Sequence, residues 1–166
     1  AELAHAFGMN VLACAHRPVP APVYDPFAFV SAEELFRRSD VISLHCPLTE
    51  ETRGLVCRNT LNMMKPGAMI INTSRGPVVN GRDVAEALHE GRLGGFGADV
   101  LEQEPPAEDD PLLSAPRSII TPHIAWMTDG ARRNIVSITL ENIRCFREGR
   151  PQNVVNLAWL KPNPQK

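Results

Sequence analysis

The chain has 166 residues, 43% of them hydrophobic and 22% charged, and its formal net charge is -2. That length suffices for one domain with a proper core. The charge balance argues against a nucleic-acid partner, which needs a basic footprint. No apolar run approaches the roughly 20 residues of a membrane helix.

The chain opens within a helix, Ala1 to Phe7, with Leu3, Ala4 and Phe7 on one face and Gly8 as its stop. A helix with no start signal predicts that the chain was cut from something longer. Asn10 to Cys14 reads as a buried strand, and residues 17–28, with Pro18, Pro20, Pro22 and Pro26, as loop. Ser31 followed by Glu34 is a helix start. Asp40 to His45 is a strand closed by Pro47, and Asn59 to Met64 a short helix. Ala68 to Thr73 is a strand. Arg82 to Glu90 is a helix with Val84, Ala87 and Leu88 on one face and Gly91 as its stop. Gly95 to Val100 is a strand, Leu101 to Pro116 an acidic loop with prolines, Ser118 to Thr121 the last strand, and Thr128 to Glu148 the longest helix.

Helix and strand thus alternate five times, and the strands are near-continuous apolar runs. The expectation is an α/β fold, a parallel sheet covered on both faces. The four cysteines, Cys14, Cys46, Cys57 and Cys145, are widely spaced. They read as reduced, mostly buried thiols of a cytoplasmic protein, and no zinc-ligand spacing is present, so no metal is expected. No signal-peptide pattern stands at the start.

Ligands of open parallel sheets bind beyond the carboxyl ends of the strands. There the sequence places His16 and Arg17, then His45, Cys46 and Pro47, then Thr73, Ser74 and Arg75, then Asp99 and Glu104, and finally His123. Each has a bland alternative: Arg75 a solvated turn residue, Asp99 a loop cap, Glu104 part of an acidic face, His123 an ordinary loop or core histidine. Together they form a coherent set. A guanidinium fork matches a carboxylate. A carboxylate beside an imidazole favours the protonated ring and fixes its orientation. Such a histidine can protonate a carbonyl oxygen while hydride arrives at carbon from a cofactor.

The stretches Ser43-Leu44-His45-Cys46-Pro47-Leu48-Thr49 with Glu51-Thr52, Met64-Lys65-Pro66-Gly67, Ile71-Asn72-Thr73-Ser74-Arg75-Gly76, Gly97-Ala98-Asp99-Val100 running to Glu104-Pro105, and Thr121-Pro122-His123-Ile124-Ala125 come in a known order and spacing. Over about the whole chain they resemble the NAD(P)-binding domain of the D-isomer-specific 2-hydroxyacid dehydrogenases. The resemblance implies a doubly wound, Rossmann-type parallel sheet that here lacks its first strand and Gly-rich turn. Residues 1–150 would be the incomplete NAD(P)-binding domain, and 151–166 a tail towards a missing substrate domain. It implies Arg75 as the substrate-binding arginine, Glu104 as the carboxylate paired with the catalytic histidine, and His123 as that histidine. Asp99 would hold the nicotinamide end. Cys46, Pro47, Thr52, Thr73, Ser74 and Ala125 would line the cofactor groove.

Glu104 matches the hydroxyacid enzymes, whereas the related formate dehydrogenases carry Gln at that position. Residues 75–80 and 123–126 look most like glycerate dehydrogenases, also called hydroxypyruvate reductases. Trp126 then either shapes the substrate pocket or packs beneath the last helix. No Asp follows the second strand of the family pattern. His16 and Arg17 there either suit the 2′-phosphate of NADP or are exposed loop residues, so the cofactor is NAD or NADP. The substrate is expected to be a small 2-keto or 2-hydroxy acid, and the complete protein a homodimer. Two other expectations compete with this enzyme: a dinucleotide-sensing, corepressor-like module, and an inactive truncated product whose sheet exposes apolar edges.

Overall fold

Alternate residues of three successive strands point into one core: Ile42 and Leu44, then Ile70 and Asn72, then Phe96 and Ala98 are all buried. A computed structural model describes residues 1–17 and 19–156 of the chain and divides it into two units, Ala1–His123 and Ile124–Lys166. The first unit contains α1 (Glu2–Ala6), β1 (Val11–Ala13), β2 (Phe27–Phe29), α2 (Ala32–Arg38), β3 (Val41–Leu44), α3 (Arg58–Met63), β4 (Met69–Asn72), a 3-10 turn (Gly76–Val78), α4 (Gly81–His89), β5 (Gly95–Ala98), α5 (Pro111–Ser114) and β6 (Ser118–Ile120). The second contains α6 (Asp129–Arg147).

All strand pairs are parallel. β3, β4, β5 and β6 form a four-stranded sheet in that order, and β1 and β2 a separate pair. The order expected for a doubly wound sheet puts the family's first strand between these two groups, and among the described residues β1 and β3 each pair on one side only. The register sets Asn72 beside Ala98 and Ala98 beside Ile120. The carboxyl ends of β4, β5 and β6 therefore lie side by side.

Several expectations are corrected. Phe27–Phe29, assigned mostly to loop, pairs with β1; Phe27 and Phe29 pack edge to face, and Tyr24 packs edge to face on Phe27. Pro18, in the same stretch, lies outside the described residues, as do residues 157–166 of the tail. β1 is half-buried rather than buried. The apolar face of α1 is exposed, with Leu3 and Phe7 both largely in solvent. The acidic loop after β5 contains α5, started by Asp110, whose Oδ1 accepts from the Leu112 N–H at 2.9 Å. Of the thiols only Cys145 is buried, and Cys14 is exposed. Both faces of the main sheet were expected under cover. Helices α2 to α5 contribute to one core cluster with one face, while Met69, Ile71 and Ile119 on the other strand positions remain exposed.

Other starts and stops follow the sequence. The Ser31 hydroxyl accepts from the Glu34 N–H at 3.1 Å, as an N-cap should. α4 begins one residue earlier than read, because the Asn80 side chain accepts from the Asp83 N–H at 3.2 Å. It is followed by Gly91, whose φ of 72° is the left-handed stop. Val84, Ala87 and Leu88 are fully buried. In the second unit the Thr128 hydroxyl caps α6 by accepting from the Ala131 N–H at 3.2 Å. Only Cys145 of that helix is buried, and Ile135, Val136, Leu140, Ile143 and Phe146 are exposed. No described helix is long and apolar enough to cross a membrane.

Leu88 sits in the cluster against which the main sheet packs, so Leu88→Ala is expected to lower unfolding free energy by about 2–5 kcal/mol. Asn80→Ala removes only a cap and is expected to cost about 1 kcal/mol. Urea denaturation followed by far-UV circular dichroism measures both, and a larger loss for Asn80→Ala than for Leu88→Ala would contradict this packing.

Candidate active site

Three side chains rise from the adjoining ends of β4, β5 and β6. His123 follows β6, and its Nδ1 lies 2.6 Å from Glu104 Oε2. An ionised carboxylate can only accept, so Nδ1–H is the donor. The other carboxylate oxygen, Oε1, accepts from the Leu101 N–H at 3.0 Å. Glu104 is thus held at both oxygens. The pair remains open to solvent, with His123 48% and Glu104 38% exposed. The hydrogen bond from His123, with the Leu101 N–H and the histidine's charge adding to it, holds the Glu104 carboxyl below the usual carboxylate range against a smaller upward push from burial.

His123 itself has a φ of 55°. That left-handed conformation is uncommon for a residue with a side chain and marks a position held by its surroundings. The hold is visible: the His123 N–H donates to the Thr121 carbonyl at 3.0 Å, and the Thr121 N–H to the Ala98 carbonyl at 2.9 Å. The Thr121 hydroxyl donates to Asp99 Oδ1 at 2.5 Å. Asp99 is buried.

Arg75 stands on the turn after β4. Its Nη1 donates to the Ser74 carbonyl at 2.7 Å. Among the described residues no carboxylate lies within ion-pair reach of its guanidinium, and the residue is exposed. The turn is pressed onto the loop that carries Glu104. A Cβ on Gly76 would lie 1.8 Å from the Leu101 carbonyl oxygen, so only glycine fits.

The sequence profile of the family described as D-isomer specific 2-hydroxyacid dehydrogenase, NAD binding domain, matches residues 1–125. The chain belongs to this family. It is 42% identical over 155 residues to a hydroxypyruvate reductase of Blautia hydrogenotrophica, covering 93% of this chain and 48% of that protein. It is 39% identical over 157 residues to a glycerate dehydrogenase of Methylorubrum extorquens, covering 93% and 48%. The crystal structure of a Thermus thermophilus protein superposes with a TM-score of 0.83 at 41% identity, covering 92% of this chain and 47% of that one. The chain therefore spans about half the length of the curated relatives it matches.

In this dehydrogenase domain the residues read as cofactor ligands fall on separate strand ends. Thr73 and Ser74 share the Arg75 turn, Thr73 exposed and Ser74 half-buried. Cys46, Pro47 and Thr52 lie in the loop after β3, the strand paired with β4. There the Thr52 hydroxyl donates to the Pro47 carbonyl at 2.7 Å and accepts from the Thr49 N–H at 2.8 Å. His16 and Arg17 are exposed after β1. Glu51 is held below its ordinary range first by the Thr49 hydroxyl and then by its own backbone, and the His16 charge adds a smaller lowering. Exposed cationic and hydroxyl groups at the strand ends fit a dinucleotide's phosphate and ribose oxygens. Ala125 and Trp126 belong to the second unit and are both exposed. Reasoning from sequence assigned no role to Asn72, which the structure buries completely among the Arg75 turn's polar groups. An Asn at an otherwise apolar strand end was the available signal.

Glu104 has a depressed folded pKa, so its ionised form adds stability above the ordinary carboxylate value of roughly 4.3. That contribution is lost as pH falls through the folded value. The melting temperature of the protein should therefore exceed that of Glu104→Gln near neutral pH, and the gap should close below about pH 4. A gap that widened on acidification would contradict the pairing.

Proposed function

We propose that the protein carrying this chain reduces small 2-keto acids such as hydroxypyruvate or glyoxylate with NAD(P)H, and oxidises the corresponding D-2-hydroxy acids. The observation that carries this reading is the 2.6 Å Glu104–His123 pair at the ends of β5 and β6, beside the exposed Arg75 turn. The names of the relatives, hydroxypyruvate reductase and glycerate dehydrogenase, support the substrate class.

In this reading the dinucleotide, when bound, supplies the hydride that no side chain can. Arg75 binds the substrate carboxylate through its guanidinium fork. Glu104 fixes the imidazole through Nδ1, and the ring gives a proton to the substrate's carbonyl oxygen. In the oxidative direction His123 takes that proton back as a base. Asp99 and the small side chains of Cys46, Thr73 and Ser74 line the dinucleotide groove, with Pro47 and Thr52 shaping the loop after β3. His16 and Arg17 meet the adenosine ribose, and the Arg17 guanidinium favours a 2′-phosphate. The complete enzyme is a homodimer on the family likeness, and its free cysteines suit the cytoplasm.

His123→Ala should lower kcat about 10²–10⁴-fold. Arg75→Ala should raise KM for the keto acid at least about tenfold, the worth of a charge-assisted hydrogen bond. An undiminished kcat in His123→Ala, or an unchanged KM in Arg75→Ala, would sink the assignment. Arg17→Ala should weaken NADPH binding about tenfold and NADH binding little, read by titration of dinucleotide fluorescence. Equal loss for both would remove the 2′-phosphate role.

A further inference from the structure

We infer that Asn72 is a positioning residue for the substrate carboxylate, acting through Arg75. The inference rests on the reading of Arg75 given above. Asn72 ends β4 with its side chain fully buried. Its Oδ1 accepts from the Ser74 N–H at 3.0 Å and from the Ser74 hydroxyl at 2.8 Å. Its Nδ2 donates to the Arg75 carbonyl at 3.0 Å. A backbone N–H can only donate and a carbonyl only accept, so the amide has one possible orientation.

This one side chain therefore fastens the chain on both sides of Arg75's Cα. Ser74 is held before it and the Arg75 carbonyl after it. The next residue, Gly76, is pinned against Leu101, and Leu101 holds Glu104. Asn72 is itself anchored, because its own carbonyl accepts from the Asp99 N–H at 3.0 Å. The Arg75 backbone is thus referenced to the same part of the sheet that carries the acid–base pair. No residue but an amide of this length supplies both a donor and an acceptor here. Asp keeps the acceptor and turns the donor into an oxygen facing a carbonyl oxygen. Ser and Thr are too short to span the turn.

The test is steady-state kinetics of the protein with glyoxylate and hydroxypyruvate. Asn72→Asp is near-isosteric and should raise KM for the keto acid about tenfold, with kcat nearly unchanged. In the Arg75→Ala background the same substitution should add nothing to KM, since both act through one group. Ser74→Ala, which removes one of the two bonds to Oδ1, should shift KM in the same direction by about threefold. A folded Asn72→Asp with wild-type KM, alongside a raised KM in Arg75→Ala, overturns the positioning role and leaves Arg75's role standing. An unchanged KM in Arg75→Ala overturns the reading of Arg75 and this inference with it. Should Asn72→Asp fail to fold, an unchanged KM in Ser74→Ala overturns the inference by itself.

Discussion

Two backbones meet at Gly76 with no room for a side chain. A Cβ there would stand 1.8 Å from the Leu101 oxygen, and real Cβ atoms do not come within 3.0 Å of such a neighbour. Any other residue must push the two segments apart by about 1 Å, and a displacement of that size at a reacting centre is enough for a hundredfold loss of rate. This contact ties the turn after β4 to the loop after β5. The parallel ladders do the remaining alignment, since the register puts Asn72, Ala98 and Ile120 in one row. Each functional side chain then stands a few residues past a strand end whose position the core has already fixed.

The third member of the site reaches its place differently. His123 stands on a bent backbone. A chain leaving β6 in extended form would carry the next residues onwards along the strand. The N–H bond from His123 back to the Thr121 carbonyl closes a turn at Pro122, and His123 itself takes a left-handed φ. The bend rests on Thr121, whose hydroxyl and N–H both reach β5's end, at Asp99 and Ala98. The buried Asp99 thus serves the geometry of the histidine from within this unit, in addition to any contact with a dinucleotide.

The alternation of apolar runs with capped helices was legible because each rests on local physics. Ser31 caps as its chemistry dictates, and the face of α4 at Val84, Ala87 and Leu88 is buried as its 3.6-residue spacing requires. β2 was hidden because three residues preceded by prolines carry no period, and its pairing with β1 is a long-range fact. α5 was hidden because Pro111 and the acids before it read as loop, although Asp110 followed by Pro at the first helical position is itself a start signal. The family motifs pointed to Arg75, Glu104 and His123, and the structure joins the last two directly. An Asn at an apolar strand end marks Asn72 as unusual, but its role lies in which atoms the buried amide faces, and only the structure gives those.

The energetics of the Glu104–His123 pair decide what it is for. A 2.6 Å contact looks strong, yet both side chains are more than a third exposed. An ion pair so placed is screened by water and contributes little to folding, typically less than about 1 kcal/mol. The geometry built around it is far more demanding: a second hydrogen bond on the carboxylate, a left-handed backbone at the histidine and a buried carboxylate beneath the bend. Strained features that add no stability of their own are expected where a group must be aimed rather than merely retained. Solvent access fits the same purpose, since a ring that exchanges protons with a substrate has to be reachable. Exposure and rigid support are each ordinary alone. Their coincidence at one histidine, on the rim of a parallel sheet, is what supports the proposed proton donor over an ordinary loop residue.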